Sequence, residues 1–343
     1  MADLDQYTKF AHINRLTRVL LRNPEMINKK HQADSEIIRQ PDGSYLAFTI
    51  DIVQKEFDFF NDPFVIGWSS VVCGMSDLAA VGAAPIGVLL ALSIPNNCTP
   101  EWCERFFMGA QGALSKYATF CLGGDIKVSN EISCTCAAIG RILRPRPVQR
   151  TGAAVGDLFY ITGSLGKGNL YAISKATDRK TWERLEKDYR PVARVHEGEL
   201  LAPWMKCAID TSAGLFQALA IIADLNKIGI HFEHRQELYD LRILPLLQQI
   251  QFPLWLVNAF GLGEYELVFA ISGHEESAFL HDAKQKRIPV FKIGKVRPEP
   301  GMSIAIDGKT HEIDLPHLLN LNGSNSSIES CLASLSKYAS SLR

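Results

Sequence analysis

Residues 76–85 read Ser76-Asp-Leu-Ala-Ala-Val-Gly-Ala-Ala-Pro85, and the reading of the fold starts there. The stretch closes an apolar helix running through Val71 to Val81, because Gly82 and Pro85 end a helix that reaches them. Beyond the break, Ile86 to Ile94 has the length and apolar content of a buried strand. The longest apolar run, Ala79 to Pro95, is interrupted by Gly82, Pro85 and Gly87 and is too short to span a bilayer. A single charged residue, Asp77, stands inside the otherwise apolar helix.

Working outward, strands alternate with long helices. Phe10, Ile13, Leu16, Val19 and Leu20 share one face of a helix within residues 1–30. Pro41-Asp42-Gly43 makes a turn ahead of a strand from Tyr45 to Val53. Thr99-Pro100-Glu101 opens a helix with a capping hydroxyl, a first-turn proline and an acid at the positive end of the dipole. That helix buries Trp102, Phe106, Ala110 and Leu114, four residues apart. Strands follow at Phe120 to Gly124 and Ser133 to Ile142. The proline-broken segment Leu143 to Gly152 is the domain boundary. Past it come a strand at Asp157 to Thr162, a helical connection between Pro191 and Pro203, and a helix capped by Thr211 or Ser212 that runs to Leu225. Further strands lie at Ile230 to Phe232, Glu266 to Ile271 and Val290 to Val296. The expected division is residues 1–148, residues 149–318 and a peripheral tail from 319 to 343.

Composition bounds the function. A chain of 343 residues suits two domains of about 150 each. Its 47% apolar and 21% charged content is that of a folded globular protein. With net charge −1 and no basic block, nothing points to nucleic acid or to membrane attachment. The opening MADLDQYTKF lacks the pattern of a secretory signal, and the eight cysteines form no CxxC pair, so buried thiols in a cytoplasmic protein are expected.

The chemistry is in the aspartates. Asp51 sits inside the apolar strand Phe48-Thr-Ile-Asp-Ile-Val53, Asp77 inside a helix, Asp125 after Gly123-Gly124, and Asp210 ahead of Thr211-Ser212. An ionised carboxylate in apolar company costs several kcal/mol unless donors or a cation compensate, on the order estimated for buried ions. Magnesium takes such hard oxygen ligands together with substrate phosphates. A cap is the alternative reading for Asp210, whereas Asp51 and Asp77 have no such explanation. Gly123-Gly124 and Gly163-Ser-Leu-Gly-Lys-Gly168 could bring N–H groups to phosphates, with an ordinary turn as the alternative for both.

Five segments then align with a known superfamily: 76–85 above, Gly123-Gly124-Asp125, Gly152-Ala-Ala-Val-Gly-Asp157, Ile209-Asp-Thr-Ser-Ala-Gly-Leu215, and Gly263-Glu-Tyr-Glu-Leu267. In order and spacing the chain resembles the superfamily of thiamine-monophosphate kinase, aminoimidazole ribonucleotide synthetase, selenophosphate synthetase and the hydrogenase-maturation dehydratase, and most resembles its kinase branch. The resemblance implies an α+β fold of two lobes, with the N-terminal sheet lobe pairing into a barrel across a homodimer. It implies ATP in the cleft as co-substrate, held through magnesium by Asp34, Asp51, Asp77, Asp125 and Asp210. Asp77, Asp125 and Asp210 would be the catalytic group, and Gly123, Gly124, Lys127 and Ser212 the nucleotide contacts. The chain departs from the pattern at His31-Gln32-Ala33, where two glycines and an aspartate are usual, and at Ala213 and Glu264, both usually aspartate. The implied function is magnesium-dependent phosphoryl transfer from ATP to a small molecule. The alternatives are ATP-driven activation of an amide or carboxylate oxygen, or nucleotide binding without catalysis.

Overall fold

The computed structural model describes residues 20–54, 61–261, 263–323 and 327–342. The expected helix on Phe10 to Leu20 lies, apart from Leu20, outside the described residues. The first half runs β1 (Glu36–Arg39), β2 (Tyr45–Gln54), α1 (Pro63–Ala80), β3 (Ala84–Ile94), α2 (Pro100–Lys116), β4 (Cys121–Val128) and β5 (Ser133–Ile142). Its sheet has the order β1-β2-β5-β3-β4. β1 and β2 form a hairpin whose turn is fixed by Asp42, which accepts the Ser44 N–H at 2.9 Å, and by Gly43 at φ 83°.

The second half runs β6 (Asp157–Thr162), α3 (Lys167–Thr177), α4 (Arg179–Asp188), α5 (Val195–Leu201), β7 (Cys207–Asp210), α6 (Leu215–Asn226), β8 (Gly229–Glu233), α7 (Leu244–Gln249) and β9 (Leu267–Ser272). It ends with α8 (Glu276–Gln285), β10 (Val290–Arg297), β11 (Gly301–Ile306), β12 (Lys309–Ile313), α9 (Leu315–Gly323) and α10 (Ile328–Ser341). Its seven strands lie in the order β12-β11-β8-β10-β6-β9-β7. α10 buries Cys331, Leu332 and Leu335 against the core of this half.

Helix α1 starts eight residues before the expected Val71. Asp62 caps it by accepting the Phe64 N–H at 2.9 Å, and Pro63 occupies its first turn. Its length and apolar content would also suit a membrane span, yet 78% of it is buried inside the protein. One side lies over β2 and β5, another against α2, and its last turn meets α5. One core cluster therefore runs from Val71, Met75 and Leu78 through Leu201 to Phe269 and Phe279, across both halves. α2 begins as expected, with Thr99 accepting the Trp102 N–H at 3.2 Å, and buries Phe106, Ala110 and Leu114.

Two expectations are corrected. Thr211 and Ser212 do not cap α6; Gly214 stands at that end with no side-chain cap, because the Ser212 hydroxyl is turned back onto Asp210. The barrel across a homodimer is also overturned. Both sheets are open, and β4 leaves the first with a free edge strand exposed along its whole length. The face of that sheet away from α1 is apolar, carrying exposed Ile50, Ile52 and Leu89.

The α1–α2 contact is backbone against backbone. A Cβ added to Gly109 would stand 1.9 Å from the Phe64 carbonyl oxygen, and one on Gly67 2.0 Å from that of Phe106. Gly109→Ala should therefore separate the helices and lower the unfolding free energy by about 1–3 kcal/mol in denaturant titrations. The surface change Gly43→Asn, with open space around its Cβ position, should do much less.

Candidate active site

Four segments meet where α1 passes under the edge of the second sheet. β2 alternates, so Thr49 and Asp51 share its inward side while Ile50 and Ile52 face out. Asp77 lies one turn before the end of α1, Asp210 closes β7, and Asp34 lies in the turn before β1. Asp34, Asp77 and Asp210 each offer a carboxylate oxygen, and these oxygens all lie within 4.8 Å of one another. Asp51, on the inward side of β2, stands near enough for its charge to add to the raising of Asp77.

Neighbouring donors fix the orientation of Asp34, Asp77 and Asp210. The Thr49 hydroxyl donates to Asp77 Oδ2. Ser212 donates its hydroxyl to Asp210 Oδ1 at 2.8 Å and its N–H to the same oxygen at 3.3 Å. The Arg150 guanidinium donates to Asp34 Oδ1 through Nε at 3.2 Å and through Nη2. The turn after Asp210 is tied down in both directions, Thr211 N–H donating to Glu266 O at 2.8 Å and Glu266 N–H to the Thr211 hydroxyl at 3.0 Å. After all these bonds, Asp34 Oδ2 and Asp210 Oδ2 remain buried without a partner.

Burial, reinforced by mutual repulsion, raises the acids. Asp34 is pushed up to about 7 by loss of water and by Asp210, with Arg150 pulling the other way. Asp51 is pushed to about 6 by burial and then by Asp210. Asp77 is driven well above the carboxylate range by burial, then by Asp51, Asp210 and Asp34. An all-carboxylate donor set with two unpartnered buried oxygens is chemically suited to a hard divalent cation such as magnesium, whose charge would relieve the repulsion.

The structure does not bring Asp125 to this cluster. The sheet register aligns Asp51 with Cys136 and Leu90, whereas Asp125 aligns with Ala91, Thr135 and outward-facing Ile52. Asp125 is exposed on β4 with Lys127 Nζ at 3.9 Å, and Gly123 and Gly124 lie on the same edge strand. Of the expected nucleotide contacts, Ser212 alone stands at the cluster. The glycine turn 163–168 is internally filled, since Glu264 accepts the N–H groups of Gly166 at 2.9 Å and Asn169 at 2.9 Å. Sequence reading missed Arg150 and Thr49. Thr49 could have been found from its place two residues before Asp51 on the same strand face. Arg150 is 116 residues from its partner and carries no local signal.

Comparison with known proteins agrees with this architecture. Residues 32–142 match the AIR synthase related protein N-terminal domain, and residues 154–307 the AIR synthase related protein C-terminal domain. The chain is 31% identical to a thiamine-monophosphate kinase of Methanospirillum hungatei over 279 residues, 80% of this chain and 88% of that protein. A thiamine-monophosphate kinase of Synechococcus elongatus is 26% identical over 82% of this chain and 88% of its own. Among solved structures, the thiamine-monophosphate kinase of Stenotrophomonas maltophilia superposes with TM-score 0.69 at 25% identity, covering 88% of this chain and 97% of that one. A ThiL kinase complexed with AMPPCP and TMP shares the fold, with TM-score 0.74 at 20% identity over 90% and 95% of the two chains.

The raised acids give a sign for pH dependence. Asp34 and Asp51 bind protons more tightly folded than unfolded, so metal-free protein is most stable below about pH 3.8 with respect to these groups. That stability, on the order of a few kcal/mol, is lost as pH rises through about 6 and about 7. Added magnesium should therefore raise the melting temperature more at about pH 8 than at about pH 5, and EDTA should reverse the gain. Equal shifts at both pH values would count against a cation among these acids.

Proposed function

The chain belongs to the AIR synthase-related family, as a thiamine-monophosphate kinase-like member, and on that premise we propose that it transfers the γ-phosphoryl group of ATP to a small-molecule acceptor with the help of magnesium. The observation that carries this reading is the Asp34–Asp77–Asp210 triad, with two buried oxygens left over. A cation bound there would neutralise phosphate charge as it develops. Asp34, Asp51, Asp77 and Asp210 would hold it, while Thr49, Ser212 and Arg150 keep their carboxylates aimed. An acceptor phosphate oxygen is already anionic, so no side chain need remove a proton. Catalysis then rests on positioning and charge. Thiamine monophosphate is the first acceptor to test, because the relatives that match over most of their length are named for it.

Further parts of the reading rest on separate observations. Residues 1–148 form the lobe that supplies Asp34, Asp51 and Asp77 and pairs two copies, and residues 149–318 the second lobe, which supplies Asp210. Two copies pair through the exposed apolar face of the first sheet, where Asp125, Gly123, Gly124 and Lys127 also lie. All eight cysteines are free thiols, as suits a cytoplasmic enzyme.

Incubated with ATP, magnesium and thiamine monophosphate, the protein should give ADP and a doubly phosphorylated thiamine in equal amounts by phosphorus NMR. Free phosphate in place of the phosphorylated product would sink the kinase reading. Asp77→Asn should lower kcat by about 10²-fold or more, since it removes a full charge from the cluster. In sedimentation velocity, Ile52→Glu should convert a dimer to monomer; a wild-type monomer would remove the pairing.

A further inference from the structure

Three arginine–carboxylate pairs among the described residues are side-on forks that use both oxygens. Arg194 reaches Glu266 Oε2 through Nε at 2.7 Å and Oε1 through Nη2 at 2.5 Å. Arg105 grips both oxygens of Asp62 at 2.6 and 2.7 Å, and Arg242 both oxygens of Asp240 at 2.9 and 2.7 Å. Arg150 differs, placing Nε and Nη2 on one oxygen, Oδ1 of Asp34. The Asp34 side chain is only 2% exposed, yet its Oδ2 has no partner. A buried pair serving stability alone would satisfy both oxygens, because an orphaned buried acceptor costs about 1–3 kcal/mol.

Arg150 is itself anchored on both sides. Its N–H donates to Gln32 O at 2.7 Å, and its Nη1 reaches His31 O at 3.4 Å. Its carbonyl accepts from Asn226 Nδ2 at 2.9 Å, while Asn226 Oδ1 takes the N–H groups of Gly152 at 2.7 Å and Ala153 at 3.1 Å. The segment it grips lacks regular structure, and His31 holds φ 65°, a conformation uncommon outside glycine. Nothing within that turn would otherwise fix where Asp34 points.

We propose that Arg150 is a positioning residue for the cation site. It draws Asp34 Oδ1 to one side so that Oδ2 is presented, unpartnered, toward Asp77 and Asp210. The inference rests on the function proposed above. Its two effects on a cation oppose each other, since a guanidinium near the site repels a metal while an aimed carboxylate binds it. Both effects grow with the two charges of the cation, and solvent screening weakens the repulsion. Experiment must show which effect prevails, and the proposal requires that aiming does.

The test is the magnesium concentration that half-saturates the rise in melting temperature of the full chain. Arg150→Gln should raise it about tenfold, with Arg150→Lys between that variant and wild type. In an Asp34→Asn background Arg150→Gln should add nothing, as expected if it acts through Asp34. An unchanged or lower midpoint in Arg150→Gln, or the same tenfold change without Asp34, overturns the proposal. So does an intact magnesium midpoint with weakened ATP binding, which would make Arg150 a nucleotide contact. Should Arg150→Gln not fold, Arg150→Lys decides by the same midpoint. Wild-type protein indifferent to magnesium overturns the proposed function and this inference with it, whereas a responsive wild type with an indifferent variant overturns this inference alone.

Discussion

Everything at the centre of this molecule follows from bringing carboxylate oxygens of Asp34, Asp77 and Asp210 within 4.8 Å of one another, with Asp51 beside them. Like charges so close cannot all remain ionised without help, and burial together with mutual repulsion lifts Asp34, Asp51 and Asp77 above the normal carboxylate range. The surrounding structure supplies donors to Asp34, Asp77 and Asp210 but leaves Asp34 Oδ2 and Asp210 Oδ2 unmatched. An arrangement that forgoes hydrogen bonds at two buried oxygens is under-satisfied as a folding core and well suited to a cation.

That same constraint explains the union of the two halves. Asp34, Asp51 and Asp77 belong to the first sheet and its helix, Asp210 to the second sheet. They can converge only because α1 is buried from both sides and shares one apolar cluster with Phe269 and Phe279. The close glycine contact between α1 and α2 sets the depth of that helix, and with it the place of Asp77. The cluster thus draws its carboxylates from both halves.

Much of this was legible in the sequence, and the exceptions have separate causes. Strands at Tyr45 to Val53, Ser133 to Ile142 and Val290 to Val296 announced themselves through local pattern, as did the Thr99 cap. Asp51 and Asp77 stood out because a charge inside an apolar element is locally anomalous. The placement of Asp125 depends on contacts distant in the chain. Whether Asp125 faces the cluster or the open side is decided by register across β3, β5 and β2, not by its own neighbours. Ser212 looked like a cap because a hydroxyl before a helix usually is one; here Asp210 claims it. α3 and α4 were not foreseen, since Lys167 to Asp188 mixes apolar and charged residues around a break at Asp178.

The glycine turn ahead of α3 bears on something other than its own geometry. Helix starts flanked by glycine attract any anion of suitable size, and a protein handling polyphosphates has reason to offer few of them. Here a buried glutamate already lodges in that berth, bonded to two of its N–H groups. A phosphate drifting toward the second lobe would have to evict a carboxylate from the interior before gaining a single bond. The chain thus guards against misplacing its own substrate with a tethered competitor, leaving the acidic cluster as the destination for a nucleotide carrying its metal.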